Sequence, residues 1–188
     1  MSDVAGQVRE EPLDARAEAR RRAALAQIRQ YGDPALRLRA REVESFDREL
    51  ERLVGRMTAL MEGANGVGLA GNQVGVLQRV IVARPDPDAP PIALVNPQIV
   101  ERDSCLELDD EGCLSLQGVL VPVERSHAVR VDARDVDGKD LTLELEGLGA
   151  RVLQHEIDHL DGVLIVDRTT DEARREALAV LRPRIVLA

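Results

Sequence analysis

Apolar residues recur at helical spacing in three parts of the chain. Between residues 47 and 63 the spacing predicts an amphipathic helix that packs one side on a core. Between residues 148 and 160 apolar side chains occupy nearly every face, which predicts a buried helix. A shorter stripe predicts a final helix at about residues 170–181, with Arg174 and Arg175 on its opposite face.

Strand patterns fill the region between these helices. Residues 80–83 and 92–95 form short apolar runs on either side of a loop rich in proline and aspartate, and they predict two short strands. Polar and apolar residues alternate over 129–133 and 141–145, with a turn at Asp137 and Gly138, which predicts a hairpin leading into the buried helix. Cys105 lies in another alternating stretch, and we expect it to be a small buried residue.

Composition and charge narrow the class of protein. A chain of 188 residues with 44% hydrophobic residues is long enough for one substantial core. The net charge of -9 argues against general binding to DNA or to an anionic membrane. There is no apolar run of 18 residues and no secretory signal, so we expect no membrane span. With 2 cysteines and no disulfide framework, we expect a cytoplasmic location.

The first 24 residues differ in composition from the rest. They are rich in alanine, arginine and glutamate, which is typical of a solvated helix or a disordered arm. We therefore expect an N-terminal extension at residues 1–24 and a single globular domain at residues 25–188.

The buried helix carries the most specific chemistry in the chain. Of the 3 histidines, His155 and His159 are four residues apart, so both imidazoles lie on one helix face and can bind one metal ion. Glu156 follows the first histidine directly and can accept a proton from a water on the open side of the metal. Buried histidines beside a carboxylate would be costly without a ligand. The pattern predicts metal-assisted hydrolysis of a carbonyl bond.

The third metal ligand is not given by this motif. Gly162 fits one known extension of it, but that extension ends in a histidine where this chain has Ile165, so that type of protease is excluded. His127 lies in a strand-like run and is expected at the surface or in a sheet. The downstream carboxylates that could serve instead are Asp167, Asp171 and Glu172. Cys113, as a thiolate between a glycine and apolar residues, is the favoured third ligand.

A glycine-rich segment follows the first amphipathic helix. Residues 66–75 contain four glycines, so the backbone there turns tightly or lets another chain approach closely. The segment follows a helix and lacks the lysine of a phosphate-binding loop, which argues against a nucleotide site. Gln73 offers an amide, and the whole segment suits a peptide-binding groove.

Three motifs in order resemble those of the peptide deformylase family. The family pattern Gly-x-Gly-Leu-Ala-Ala-x-Gln corresponds to residues 66–73, Glu-Gly-Cys-Leu-Ser to 111–115, and Gln-His-Glu-x-Asp-His to 154–159. The likeness covers about residues 28–170. The chain departs from the pattern at Gly71, where the family has alanine, and at Gln117, where a proline is frequent.

The resemblance implies a fold, a reaction and a set of roles. The fold is α+β, with antiparallel sheets wrapped around the motif helix, and the enzyme removes the formyl group from N-formylmethionyl nascent polypeptides. Glu156 would take the proton of the attacking water and pass it to the departing amine. The Gln73 amide and the Leu114 N–H would stabilise the negative oxygen. The ligands of one divalent metal would be Cys113, His155 and His159. The native metal would be Fe(II), with Zn(II), Ni(II) or Co(II) as substitutes.

The resemblance also implies how a substrate would lie. Gly68 and its neighbours, together with Gly112, would bind the peptide backbone as an added strand. The methionine side chain would enter an apolar pocket lined by Val67, Leu148 and Val152. The basic face of the final helix would be available for contact with the ribosome.

Two alternatives use the same residues differently. A metalloendopeptidase would keep the helix but take a carboxylate as third ligand and be indifferent to Cys113→Ser. A non-catalytic relative that associates with the ribosome would be expected to lack Glu156, Gln73 or a metal ligand, and all of these are present.

Overall fold

The described part of this computed structural model is residues 15–181. In chain order its helices are α1 (Ala15–Leu25), α2 (Arg48–Gly63), α3 (Gly147–Leu160) and α4 (Asp171–Leu181). Its strands are β1 (Gly68–Ala70), β2 (Val80–Ala83), β3 (Ile92–Arg102), β4 (Leu106–Gly112), β5 (Leu120–Ser126), β6 (Ala128–Arg134) and β7 (Asp140–Glu146). Single turns of 3₁₀ helix occur at Pro34–Arg37, Gly71–Val74 and Ile165–Asp167.

Two antiparallel sheets surround α3. The larger sheet has the strand order β1-β2-β3-β6-β7, and the smaller one is the β4–β5 hairpin. Every strand pair is antiparallel, including the predicted β6–β7 hairpin, in which Val131 faces Leu143. The α+β prediction, with antiparallel strands around the motif helix, is confirmed.

Helix α2 begins and ends where its sequence dictates. The Asp47 side chain accepts hydrogen bonds from the N–H groups of Glu49 and Leu50 at 2.9 and 3.2 Å, which satisfies donors that have no partner inside the helix. The chain leaves the helix at Gly63 and turns through Asn65, which has a φ of 56°. The apolar side of α2 is buried and packs on β1 and β2, directly before the glycine-rich segment.

Helix α3 is the centre of the structure. Its side chains Leu153 and Leu160 are fully buried against Ile81, Leu94 and Val131 of the large sheet. The other side of the helix faces the β4–β5 hairpin. Because both sides are covered, most of its polar residues are enclosed, and they can be satisfied only by each other, by polar groups of the surrounding strands or by a bound group.

Strand β3 is longer than the sequence indicated. It continues beyond residue 95 through Asn96, which has a φ of 53°, and Pro97, and its pairing with β6 shifts register there. The Asn96 side chain replaces the lost backbone pairing, since it accepts from Val43 N at 2.8 Å and donates to Val43 O at 2.9 Å. The expectation that Cys105 is buried is wrong, because it lies exposed between β3 and β4.

The N-terminal part is only partly described. Residues 1–14 lie outside the described range, as do Arg182 and Arg184 at the other end. Helix α1 is mostly exposed, but Ala24 and Leu25 pack in the core with α2. A boundary between residues 24 and 25 therefore stays a prediction. None of the helices within residues 15–181 has the length and apolar character needed to cross a bilayer.

Candidate active site

Two separate parts of the fold bring three metal-binding side chains together. His155 and His159 lie one turn apart on α3, with ring centroids 5.0 Å apart, and Cys113 follows directly after β4. One ligand atom from each of the three lies within 4.8 Å of the others, and Cys113 Sγ is 3.2 Å from His159 Nε2. All three residues are buried.

The chemistry of these donors fits a divalent metal. A thiolate and two imidazole nitrogens form the mixed sulfur and nitrogen set that suits zinc and similar ions, with room for a further ligand. Two buried polar atoms beside them, Glu156 Oε2 and His159 Nδ1, have no hydrogen-bond partner among the described residues. Such buried groups are costly unless a bound ion or water satisfies them.

Glu111 fixes the orientation of the first histidine. Its Oε2 is 3.0 Å from His155 Nδ1, which leaves His155 Nε2 available as the ligand atom. Arg125 binds both oxygens of this carboxylate at 2.9 and 3.0 Å, and Arg151 binds Oε1 at 2.9 Å. Burial alone would raise the pKa of Glu111, but the hydrogen bonds from His155 and Arg125 outweigh it and hold the pKa well below its usual range.

The two histidines differ in their affinity for protons. Burial alone would lower the pKa of His155, but hydrogen bonds with Cys113 and Glu111 outweigh it and raise that pKa. Burial lowers the pKa of His159, and the positive charge on His155 lowers it further. His159 is thus a neutral donor, and metal binding would displace a proton from His155.

Glu156 stands in a different environment from Glu111. It is buried and receives no hydrogen bond from an arginine within residues 15–181. Burial raises its pKa to about 7, although the charge on His155 opposes this rise. Gly68 packs against it so closely that a Cβ at this position would lie 2.7 Å from Glu156 Cδ. A carboxyl group with a pKa near 7 can both accept and donate a proton at neutral pH.

Gln73 lies beside the Cys113 thiol, and Leu114 is the next residue after Cys113 in the chain. Gln73 Oε1 accepts from Ala70 N at 2.8 Å, so its Nε2 points toward Ser115 Oγ at 3.2 Å and Cys113 Sγ at 3.6 Å. Leu114 follows Cys113 directly and is buried, and its carbonyl oxygen accepts from Gln30 Nε2 at 3.2 Å. The amide of Gln73 is therefore held toward the site.

Of the residues predicted for substrate binding, Gly68 and Gly112 lie next to this centre. Gly68 belongs to β1, which is the edge strand of the large sheet and can accept an added strand. Val67, Leu148 and Val152 belong to one apolar cluster, in which Val67 and Leu148 are partly exposed. Gly112 is buried at the end of β4, next to Cys113.

The other candidate ligands are elsewhere. His127 is paired with Glu107 at 2.9 Å, and the surface carboxylate Asp167 is paired with Arg37. Asp171 and Glu172 form the first turn of α4. Within residues 15–181, Cys113, His155 and His159 are the only group of three or more histidine, cysteine or acidic side chains close enough to share an ion.

Sequence reasoning missed the charged residues behind the ligands. Glu111 lies inside a recognised motif, two residues before Cys113, but its partners Arg125 and Arg151 carry no spacing pattern. The available signal was an arginine within a stretch that is otherwise buried, such as Arg151 in α3. Such a residue requires a buried acceptor, although the sequence does not say which.

Comparison with known proteins agrees with this geometry. The family model described as polypeptide deformylase matches residues 25–175. A peptide deformylase of Dictyoglomus turgidum is 45% identical over 149 residues, which cover 79% of this chain and 95% of that protein. One from Thermotoga maritima is 46% identical over 147 residues, covering 78% of this chain and 88% of that protein.

The chain is also similar to solved structures of peptide deformylases. The crystal structure of the Thermotoga maritima peptide deformylase superposes with a TM-score of 0.74 at 45% identity, covering 76% of this chain and 96% of that chain. The structure of peptide deformylase 1B from Arabidopsis thaliana, in complex with an inhibitor, has a TM-score of 0.79 at 39% identity and covers 82% of this chain and 87% of that chain.

Proposed function

The chain belongs to the polypeptide deformylase family, and from this premise we propose that it hydrolyses the N-formyl group of formylmethionyl nascent peptides and releases formate. The observation that carries the proposal is the buried group of Cys113, His155 and His159 with Glu156 beside it. This arrangement is what metal-assisted attack of water on a carbonyl carbon requires.

The metal would be held by Cys113 Sγ and by one nitrogen of each histidine. When bound, a divalent ion supplies Lewis acidity and lowers the pKa of water. Fe(II) is our proposal for the native ion, with Zn(II), Ni(II) or Co(II) as substitutes, because a site with one thiolate and two imidazoles accepts several of them. Glu111 supports the site by accepting from His155 Nδ1.

Glu156 would move the proton. With a pKa of about 7, its carboxylate accepts a proton from the attacking water and then donates it to the nitrogen of the departing amine. Its carboxylate packs against Gly68 of β1. The carboxyl group thereby lies next to the strand edge on which the peptide would bind.

The remaining residues would bind and orient the peptide. Gln73 Nε2, held in place by the Ala70 N–H, donates toward the formyl oxygen as negative charge develops there, together with the Leu114 N–H. The peptide backbone adds to the free edge of β1 at Gly68, near Gly112. The methionine side chain lies against Val67, Leu148 and Val152.

Formate release from formyl-Met-Ala-Ser tests the proposal. Fe(II)-loaded protein purified without oxygen should release formate, Cys113→Ser should lose both metal and activity, and Glu156→Gln should keep the metal but lose at least ~100-fold in kcat. Cys105→Ser is the matched control, because Cys105 is exposed and is not one of the proposed metal ligands. Cleavage of internal peptide bonds with full activity in Cys113→Ser would identify a metalloendopeptidase instead. No formate from the loaded parent would identify a non-catalytic relative.

Contact with the ribosome is a finer part of the proposal. It rests on Arg174 and Arg175, which lie exposed on α4. A cytoplasmic location, where nascent chains are available, is part of the same proposal. Replacing both arginines by glutamate should weaken cosedimentation with ribosomes while formate release from a free peptide stays unchanged. Equal cosedimentation of the variant and the parent would remove α4 as the contact.

A further inference from the structure

The metal donors come from two elements that must be held at a fixed separation. The two histidines project from α3, whereas Cys113 is attached to the end of the β4–β5 hairpin. A small shift of the hairpin relative to the helix would move the thiolate away from the imidazoles. Whatever fastens one element to the other therefore controls the geometry of the metal site.

One buried side chain of α3 contacts both strands of that hairpin. Arg151 Nη2 donates to the backbone oxygen of Glu107 in β4 at 2.7 Å, and Nη1 donates to the backbone oxygen of Val123 in β5 at 2.8 Å. The same Nη1 lies 2.9 Å from Glu111 Oε1. Arg151 is 5% exposed and lies one turn before His155 on the same helix.

The contact with Glu111 connects Arg151 to the metal ligands. Glu111 accepts a hydrogen bond from Arg151 on Oε1 and one from His155 on Oε2, so its carboxylate is held between two residues of α3. Arg125 also binds Glu111, but it is itself part of the hairpin, and within residues 15–181 its direct hydrogen bond to α3 is the one to Asp158. Among the described residues, Arg151 is the helix side chain that joins Glu111 to the backbone of both strands.

We propose that Arg151 is a positioning residue that sets the placement of Cys113 relative to His155 and so determines the affinity for the metal. The inference rests on the metal site of the proposed function. A guanidinium suits this task because its planar fork donates to three acceptors at once, which an ammonium group cannot do in the same geometry. Partners behind metal ligands typically change metal affinity 10- to 100-fold when they are removed.

Three variants test this role in the full chain loaded with Co(II). Arg151→Met removes all three hydrogen bonds, and Arg151→Lys keeps the charge but loses the fork. Arg168→Met is the matched control, because Arg168 bonds Asp158 at the edge of the same charged network and, in the described part of the chain, makes no hydrogen bond to the hairpin backbone or to Glu111. Competition with a chelator gives the metal dissociation constant, and the visible absorption of bound Co(II) reports the geometry of its ligands.

The expected result is a 10- to 100-fold weaker Co(II) affinity in Arg151→Met, with an altered absorption spectrum and a fall in kcat that exceeds any change in KM. Arg151→Lys should fall between parent and Arg151→Met, and Arg168→Met should match the parent. If folded Arg151→Met keeps the parent's affinity and spectrum, Arg151 serves stability only and the proposal is wrong. Should that variant fail to fold, Arg151→Lys decides by the same comparison.

Metal affinity and the spectrum are measured without substrate. A parent that releases no formate while Arg151→Met loses Co(II) would therefore refute the proposed reaction and leave the positioning role standing. The opposite result, with normal deformylation and unchanged Co(II) binding in Arg151→Met, would refute the positioning role alone.

Discussion

Replacing Glu156 by glutamine should stabilise the protein at neutral pH once the metal has been removed with a chelator. Glu156 is buried, one of its oxygens has no partner among the described residues, and burial raises its pKa from 4.5 to about 7. The unfolded chain would release this proton near the ordinary pKa, whereas the folded protein retains it to higher pH. Glutamine has nearly the shape of the protonated glutamate side chain and cannot ionise.

The sign of the effect follows from this proton. Because the pKa is raised in the folded state, the stability contributed by protonated Glu156 is fully present below pH 4.5 and is lost as the pH rises toward 7. At about 1.4 kcal/mol for each tenfold change in proton affinity, ionised Glu156 costs the folded protein about 3 kcal/mol above pH 7. Glu156→Gln does not pay this cost.

Urea unfolding of the chelated parent and of Glu156→Gln, at several pH values between 5 and 8, measures the difference. The variant's advantage in free energy of unfolding should grow by about 2.5 kcal/mol over this range. Comparing the two proteins at each pH cancels the titration of the other groups. An advantage that stays constant with pH, or that shrinks as pH rises, would refute the argument that burial raises this pKa.

Two glycines give further predictions. Gly68→Ala should lower kcat for formate release at least ~10-fold, because the added Cβ would meet the Glu156 side chain and displace its carboxylate. The melting temperature should fall only slightly, because that side chain is flexible. A kcat equal to that of the parent would contradict this prediction. Gly71→Ala should destabilise the protein by about 1–3 kcal/mol, because its Cβ would lie 2.6 Å from the backbone oxygen of Gln78. An unchanged urea midpoint would show that the loop at Gln78 moves freely.

The parts of the fold predicted correctly are those with local periodicity. Helix α2 carries its own cap at Asp47, and the β6–β7 hairpin carries alternation and a turn at Gly138, so each can be recognised without knowledge of its partners. His155 and His159 were predicted together because helical spacing alone places them on one face. The arrangement of the sheets around the motif helix was predicted from the family resemblance.

The β4–β5 hairpin was missed because β4 exposes its apolar side chains and buries a charged one. The apolar residues Leu106, Leu108 and Leu120 of the hairpin are exposed, whereas charged Glu111 and Arg125 point inward and are buried. A hydrophobic pattern therefore gives the wrong inner face for β4, whereas β5 buries Val121 and Val123 as alternation predicts. These charges can be inside only because they pair across 14 positions in sequence, and such pairing is invisible to local patterns.

The extra length of β3 escaped prediction for a related reason. Asn96 and Pro97 are turn-favouring residues, and they indicate the end of a strand. In the structure they produce an irregularity within one strand, because the Asn96 side chain bonds the backbone of Val43, which is 53 positions earlier. A distant partner thus overrides the local signal.

The strongest structural argument for the role of Glu156 is its contrast with Glu111. Both glutamates are buried near His155, yet the pKa of Glu111 is lowered and that of Glu156 is raised to about 7. Glu111 stays ionised because hydrogen bonds from His155 and Arg125 lower its pKa, so it can fix a ligand but cannot exchange protons near neutral pH. Glu156 has no such partner and keeps its proton until about pH 7. Two carboxyl groups with opposite pKa shifts in one site divide the work between orienting the metal and moving the proton.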